Sequence, residues 1–213
     1  MIWFVSDPHG GQDMDGLRRY LAQRQPGDLL MILGDMEIHF RDTDKNRAFT
    51  SWFEGLDCEI AFIDGNHENF DHLESLPVEA WHGGYVHRVS PNIVHLMRGY
   101  VFEIEGSTFF TMGGCVSTQK WKDSGLWWPQ ENPSPDEIAR GYENLRRYDN
   151  RVDYILTHKY RIEPCDDSLT LQGLTNYIEE HVEYKHWYSG HWHRTERPDA
   201  QHTFVYQDPI PLE

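Results

Sequence analysis

Three short apolar β-type runs, each followed by a helical pattern, constrain this chain more than any other feature. Ile2–Ser6, Leu29–Leu33 and Glu59–Ile63 have the length and composition of buried strands. After the first, Met14, Leu17, Tyr20 and Leu21 fall on one helical face, and Pro26-Gly27-Asp28 ends that helix. After the second, Phe49, Trp52, Phe53 and Leu56 recur at i, i+3, i+4 and i+7, the stripe of an amphipathic helix beginning after Asp44. A short helix over Phe70–Leu76 follows the third. Strands separated by helical crossovers must run parallel, because a chain that crosses a sheet face between two strands re-enters at the same edge.

The middle changes period. Ile93–Met97, Tyr100–Ile104 and Thr108–Met112 are β-rich runs split by Arg98-Gly99 and Glu105-Gly106-Ser107, and adjacent hairpins fit best. The Trp- and Pro-rich stretch from Trp121 to Pro135 reads as an ordered loop. Ser134 with Glu137, and Pro135 at the first helical position, then form a capping-box signature for a helix whose apolar face is Ile138, Tyr142 and Leu145. Tyr154–Thr157, a helix carrying Leu171, Leu174, Ile178 and Val182, and strands near Trp187–Ser189 and Thr203–Gln207 complete the pattern. The expected fold is a single α/β domain over residues 1–213, built on two sheets.

Composition narrows the function. A formal charge of −16 repels a long polyanion, so no long nucleic acid is expected as a partner, whereas a small phosphorylated substrate remains compatible. No run is long and apolar enough to span a bilayer, and Met1–Ser6 lacks the basic segment of a secretory signal, so a cytoplasmic location without membrane contact is expected. Cys58, Cys115 and Cys165 are odd in number and lack CxxC spacing, which argues for free thiols. The oligomeric state is not readable.

Five clusters of potential metal ligands each stand just past a strand: Asp7-Pro8-His9, Gly34-Asp35, Gly65-Asn66-His67-Glu68, His158, and Gly190-His191-Trp192-His193. Any one has an ordinary reading as a turn, a cap or a structural histidine. Together they converge, because open α/β sheets gather their ligands outside the carboxyl ends of the strands. Carboxylates and neutral imidazoles suit manganese, iron and zinc without any thiolate. Asp35 has two oxygens and could bridge two ions, and a bridged pair can hold a hydroxide nucleophile and clamp a phosphoryl group.

Read together, these five ordered motifs closely resemble the calcineurin-like metallophosphoesterases, over residues 7 to 193. The resemblance implies a four-layer α/β/β/α sandwich with two mixed sheets and a binuclear metal site at the C-terminal ends of the strands. It implies that Asp7, His9 and His193 hold one ion, that Asn66, His158 and His191 hold the other, and that Asp35 bridges them. His67 would be the catalytic, non-ligand histidine that protonates the leaving oxygen or steadies the transition state. The two divalent or trivalent ions would be manganese first, with iron, zinc, nickel or cobalt as alternatives. Hydrolysis of a small phosphomonoester or phosphodiester is the expected reaction. A nuclease acting on short or single-stranded nucleic acid, and a catalytically silent protein-binding scaffold, are the alternatives.

The sequence departs from the protein-phosphatase branch in one place. That branch carries Gly-Asp-x-x-Asp-Arg, its later Asp supporting the catalytic histidine. Here Ile38 takes the position of that Asp and His39 that of the Arg, which leaves Glu68, Glu37 or a backbone carbonyl as the partner of His67. On the substrate side, Trp121, Trp127 and Trp128 with Lys120 and Lys122 could form a lid or could simply pack their loop, and Arg161 could meet phosphate. His39, His72, His82, His87, His95, His181, His186 and His202 fit no motif and are expected on the surface or in packing roles.

Overall fold

In the computed structural model, residues 1–12, 14–160 and 169–213 are described; Arg161 and Cys165 lie outside them. In chain order the first elements are β1 (Ile2–Val5), α1 (Asp15–Leu21), β2 (Leu29–Leu33), α2 (Asp44–Glu54), β3 (Glu59–Ile63) and α3 (Phe70–Ser75). There follow β4 (Val78–Trp81), β5 (Gly84–Ser90), β6 (Ile93–Leu96), β7 (Val101–Ile104) and β8 (Ser107–Met112). The last are α4 (Gln119–Lys122), α5 (Pro135–Arg147), β9 (Tyr154–Thr157), α6 (Leu169–His181), β10 (His186–Ser189), β11 (His202–Phe204) and β12 (Ile210–Pro211).

These strands form two mixed sheets, one of seven strands in the order β12-β1-β2-β3-β6-β5-β4 and one of five in the order β11-β10-β9-β8-β7. The helical crossovers give parallel pairing of β1 with β2 and of β2 with β3, as the sequence predicts. Both faces of the central strands are buried, and their period of two assigns each residue to a layer. Leu29, Met31 and Leu33 of β2 join Phe102, Phe109, Leu156 and Tyr188 of the other sheet in a core between the sheets. Leu30 and Ile32 point the opposite way, onto Leu17, Phe49, Phe53 and Leu73 of the helices. On the outside of the second sheet, Ile138, Leu145, Leu174 and Ile178 pack against Phe110, Ile155 and Trp187. The result is a four-layer α/β/β/α sandwich. Each fully buried Leu, Ile or Phe contributes about 1.5–3 kcal/mol relative to exposure, so the three cores carry the stability of the layers.

The structure corrects the sequence reading in the middle of the chain. The run at Ile93–Leu96 is not the first arm of a hairpin with Val101–Ile104. It enters the first sheet parallel to β3, and only β7 and β8 form the expected hairpin. Two further strands, β4 and β5, extend that first sheet beyond β6. The chain changes sheets at Met97–Tyr100, where Gly99 adopts φ 77° and its N–H donates to Thr111 O. Ser134 and Glu137 form both halves of the capping box that starts α5. Among the described residues no helix is long and apolar enough to cross a membrane.

Candidate metal centre

The loops after β1, β2, β3, β9 and β10 meet at one rim of the sandwich. They are tied to each other by their backbones: Asp7 N–H donates to Gly34 O, His9 N–H to Asp35 O, and Gly190 N–H to His158 O. Asp7, His9, Asp35, Glu37, His191 and His193 all have positive φ, a dense run of left-handed conformations that non-glycine residues adopt only when their surroundings hold them there. Two glycines are sterically required. A Cβ on Gly34, itself at φ +97°, would overlap the His158 ring, and one on Gly65 would overlap Asp35 Oδ1.

The sequence-predicted residues come together as follows. Asp7, His9 and His193 form one group: His193 Nε2 lies 3.2 Å from Asp7 Oδ1 and 3.0 Å from His9 Nε2. Asp7, Asp35 and His158 form a second, fully buried group, with His158 Nε2 3.5 Å from Asp35 Oδ2. Asp35 Oδ2 is also 3.6 Å from His9 Nε2, so one carboxylate faces both groups. His191 stands beside them, its N–H donating to Asp7 Oδ2 at 2.9 Å and its ring 5.1 Å edge-on from that of His158.

What surrounds these side chains fixes which atom each presents. His158 Nδ1–H donates to Leu33 O at 2.7 Å, which turns Nε2 toward Asp35. Asn66 Nδ2 donates to Ser117 Oγ at 3.1 Å, and Ser117 in turn gives both its hydroxyl and its N–H to the buried Glu131 at 2.7 Å. That chain orients the amide so that Asn66 Oδ1 is free. Asp7 Oδ1, Asn66 Oδ1 and His158 Nε2 are all buried without a hydrogen-bond partner. Orphaned acceptors of this kind are costly unless something positive meets them. The residues therefore fit a two-ion site made of carboxylate, amide and imidazole donors.

Strong mutual charge effects run through these groups, and between His158 and Asp35 they favour a positive charge at the point where the two meet. Burial disfavours the ionised form of Asp35, but His158, His67 and His9 outweigh it and hold the carboxyl well below the usual range. Burial likewise works against protonating His158, yet Asp35 and Asp7 raise its pKa. For His191, burial and the neighbouring His158 push the pKa down to about 3, which keeps its imidazole neutral and able to donate a lone pair.

His67 sits just outside these groups. Its Nδ1 is 3.4 Å from Glu37 Oε1, and the same oxygen lies 3.2 Å from His9 Nδ1. Glu37 is thus the carboxylate partner that the sequence left open among three candidates. Glu68 does something else: its two oxygens accept from Met36 N and Glu37 N at 2.8 and 3.1 Å and so hold the turn that carries Glu37. Ile38, in place of the acidic residue of the protein-phosphatase pattern, is buried in the helix-side core. Ser117, Glu131 and Asn46 were not flagged by sequence, since an isolated Ser, Glu or Asn carries no pattern.

The tryptophans divide between the two expected roles. Trp121 lies against the His67 ring at 4.2 Å, whereas Trp128 packs on Phe40 at 5.6 Å and donates to Asp71 at 2.9 Å. Four of the eight unassigned histidines, His87, His95, His186 and His202, are buried: His87 meets His95 at 2.9 Å, and His95 donates to Asp64 at 3.0 Å.

Comparison with known proteins gives a match to the calcineurin-like phosphoesterase family over residues 1–195. The chain belongs to that family. As a member of the calcineurin-like phosphoesterases it is also similar to lariat debranching enzymes. The Mus musculus enzyme is 23% identical over 87% of this chain and 40% of its own length. The Danio rerio enzyme is 24% identical over 78% of this chain and 35% of its own. The chain thus spans well under half the length of these relatives. Among solved structures, a protein of unknown function from Aquifex aeolicus overlaps 86% of this chain and 87% of its own, at 16% identity and a TM-score of 0.43. That likeness carries no argument here.

Proposed function

We propose that this family member hydrolyses a small phosphomonoester or phosphodiester with two metal ions, manganese first among the candidates. The observation that carries the reading is the clustering of Asp7, His9 and His193 and of Asp7, Asp35 and His158 at one rim, beside a histidine whose Nδ1 faces a carboxylate at 3.4 Å. Asp7, His9 and His193 hold one ion; Asn66, His158 and His191 hold the other; Asp35 faces both. When bound, the ions supply charge neutralisation at the phosphoryl oxygens and an activated water.

The chain's own residues do the rest. Glu37 faces the Nδ1 side of both His9 and His67, which orients the two rings. His67, so oriented, delivers a proton to the departing alcohol oxygen. Trp121 covers one side of the imidazole and limits access of water to it. A second reading, cleavage of short or single-stranded nucleic acid, is supported by the similarity to debranching enzymes.

Manganese-dependent hydrolysis of bis-p-nitrophenyl phosphate tests the reading, with Asp35→Asn, His67→Ala and Glu37→Gln alongside the parent protein. Turnover that requires metal should collapse in the first two. In Glu37→Gln it should fall roughly 10–100-fold, with an altered basic or acidic limb in its pH profile. A folded, metal-loaded protein inert toward this diester, the corresponding monoester and a short oligonucleotide would refute it and favour the silent scaffold.

A further inference from the structure

The cleft of about 650 Å³ that contains His9, His67 and His193 is also lined by Arg41, Lys45 and Trp121. That volume lies within the range of small-molecule sites. Its cations stand out against a chain with a formal charge of −16. The segment that enters α2, Arg41-Asp42-Thr43-Asp44-Lys45, carries two charges of each sign and would be neutral if every charge faced the same way. It does not behave so. Arg47 forms ion pairs with both Asp42 and Asp44. Arg41 and Lys45 are exposed, and among the described residues neither has a carboxylate within ion-pair distance. The one carboxylate lining the cleft, Glu37, is engaged with His9 and His67.

Arg41 is also held in place. Arg41 lies over the Phe40 ring at 5.3 Å, and that ring is buried 6.3 Å from His67. The backbone beneath them is pinned by buried Asn46, which accepts from Arg41 N at 3.0 Å and donates to Glu37 O at 2.7 Å. Thr43 caps α2 by accepting from Asn46 N. The residue that carries the His67 partner and the loop that carries the cations therefore share one scaffold. A fixed cation such as Arg41 beside a reacting centre is worth more than a mobile surface one, because little ordering is left to be done on binding.

We infer that Arg41 and Lys45 form an anion subsite, and that the substrate is a phosphoester bearing a second phosphate group beside the one that is cleaved. This rests on the reading of the His67 cleft as an esterase site. A matched pair of chromogenic esters tests it: thymidine 5′-(p-nitrophenyl phosphate) and the same compound phosphorylated on its 3′ oxygen. The parent protein should prefer the 3′-phosphorylated ester in kcat/KM by roughly 100-fold, about tenfold for each charged contact, expressed mainly in KM. Arg41→Gln and Lys45→Gln should each cut that preference about tenfold, and raising the salt concentration should compress it. Arg151→Gln, a cation elsewhere on the surface paired to Glu183, should leave the preference as it was.

A binding measurement separates this from turnover. Thymidine 3′,5′-bisphosphate should quench tryptophan fluorescence of the metal-free protein at lower concentration than thymidine 5′-monophosphate, and the two variants should erase the difference. Equal turnover of both esters, with no change in either variant, would overturn the inference and leave the esterase reading intact. So would stimulation of the plain ester by free inorganic phosphate, which would mark a separate effector site. If no ester turns over, the esterase reading fails, and equal quenching by the two nucleotides would then sink the subsite as well.

Discussion

Replacing Asp64 with Asn should unfold this protein more readily than almost any other single-atom change. Asp64 precedes the Gly65-Asn66-His67 loop, and its carboxylate is 1% exposed against an Arg98 side chain that is 4% exposed. Oδ2 accepts from Arg98 Nε at 2.9 Å and from Nη2 at 2.5 Å, while Oδ1 accepts from His95 Nε2 at 3.0 Å. Asn keeps the volume and loses one acceptor and the charge. Arg98 is then left buried with only Glu137 Oε2, 3.2 Å away, as a charged partner. Breaking a buried pair from one side costs about 3–5 kcal/mol. Glu137 and the contact of Arg98 with Gln130 O recover part of this, so about 3 kcal/mol is expected. For a domain of this size that is a fall in Tm of roughly 6–12 °C. Urea titration followed by circular dichroism measures it directly. In Asp64→Asn/Arg98→Met both charges are gone, so the double variant should be more stable than Asp64→Asn alone.

The pH dependence gives a second check with a definite sign. Burial opposes ionisation of Asp64, but Arg98 and His95 outweigh it and hold the carboxyl far below its usual range. A depressed carboxylate stabilises fully above its unfolded pKa, near 3.8, and loses that contribution as pH falls further. The stability gap between the parent protein and Asp64→Asn should therefore be flat above about pH 4 and shrink below it. A cost under about 1 kcal/mol, additive single effects, or a gap that persists in acid would refute the reasoning.

Other outcomes follow from the same geometry. Ser117→Ala removes the acceptor that orients the Asn66 amide and a donor to buried Glu131, so manganese affinity measured by calorimetry should fall roughly 10–100-fold and about 1–3 kcal/mol of stability should be lost. Unchanged affinity would mean that Asn66 finds its orientation elsewhere. Trp128→Ala removes a half-buried ring packed on Phe40 and its bond to Asp71, so about 2 kcal/mol of stability should be lost. Loss of activity without loss of stability would restore Trp128 to a lid.

Much of the site was readable because its signals are local. Asp7 with His9, Gly34 with Asp35, Asn66 with His67, and His191 with His193 each lie within three residues behind an apolar run, and parallel connectivity carries all such strand ends to one rim. The capping box at Ser134 was readable for the same reason, since both partners lie in one helical turn. The pairing of Ile93–Leu96 was not. Its apolar pattern serves a hairpin or a parallel neighbour equally well, and the choice depends on where the chain crosses to the second sheet at Gly99.

The sequence by itself determined the alternation of layers, the candidate ligand residues and the end of the sheet on which they gather, because these follow from period and order along the chain. Tertiary structure alone decided that Glu37 rather than Glu68 faces His67, that Glu131 reaches Asn66 through Ser117, that Asp64 neutralises Arg98, and that Arg47 pairs with Asp42 and Asp44 outside the cleft lining. In each case the deciding quantity is the distance and direction of one charged or polar atom. Residues close in sequence compete for the same partner, and only the packed backbone settles which of them reaches it.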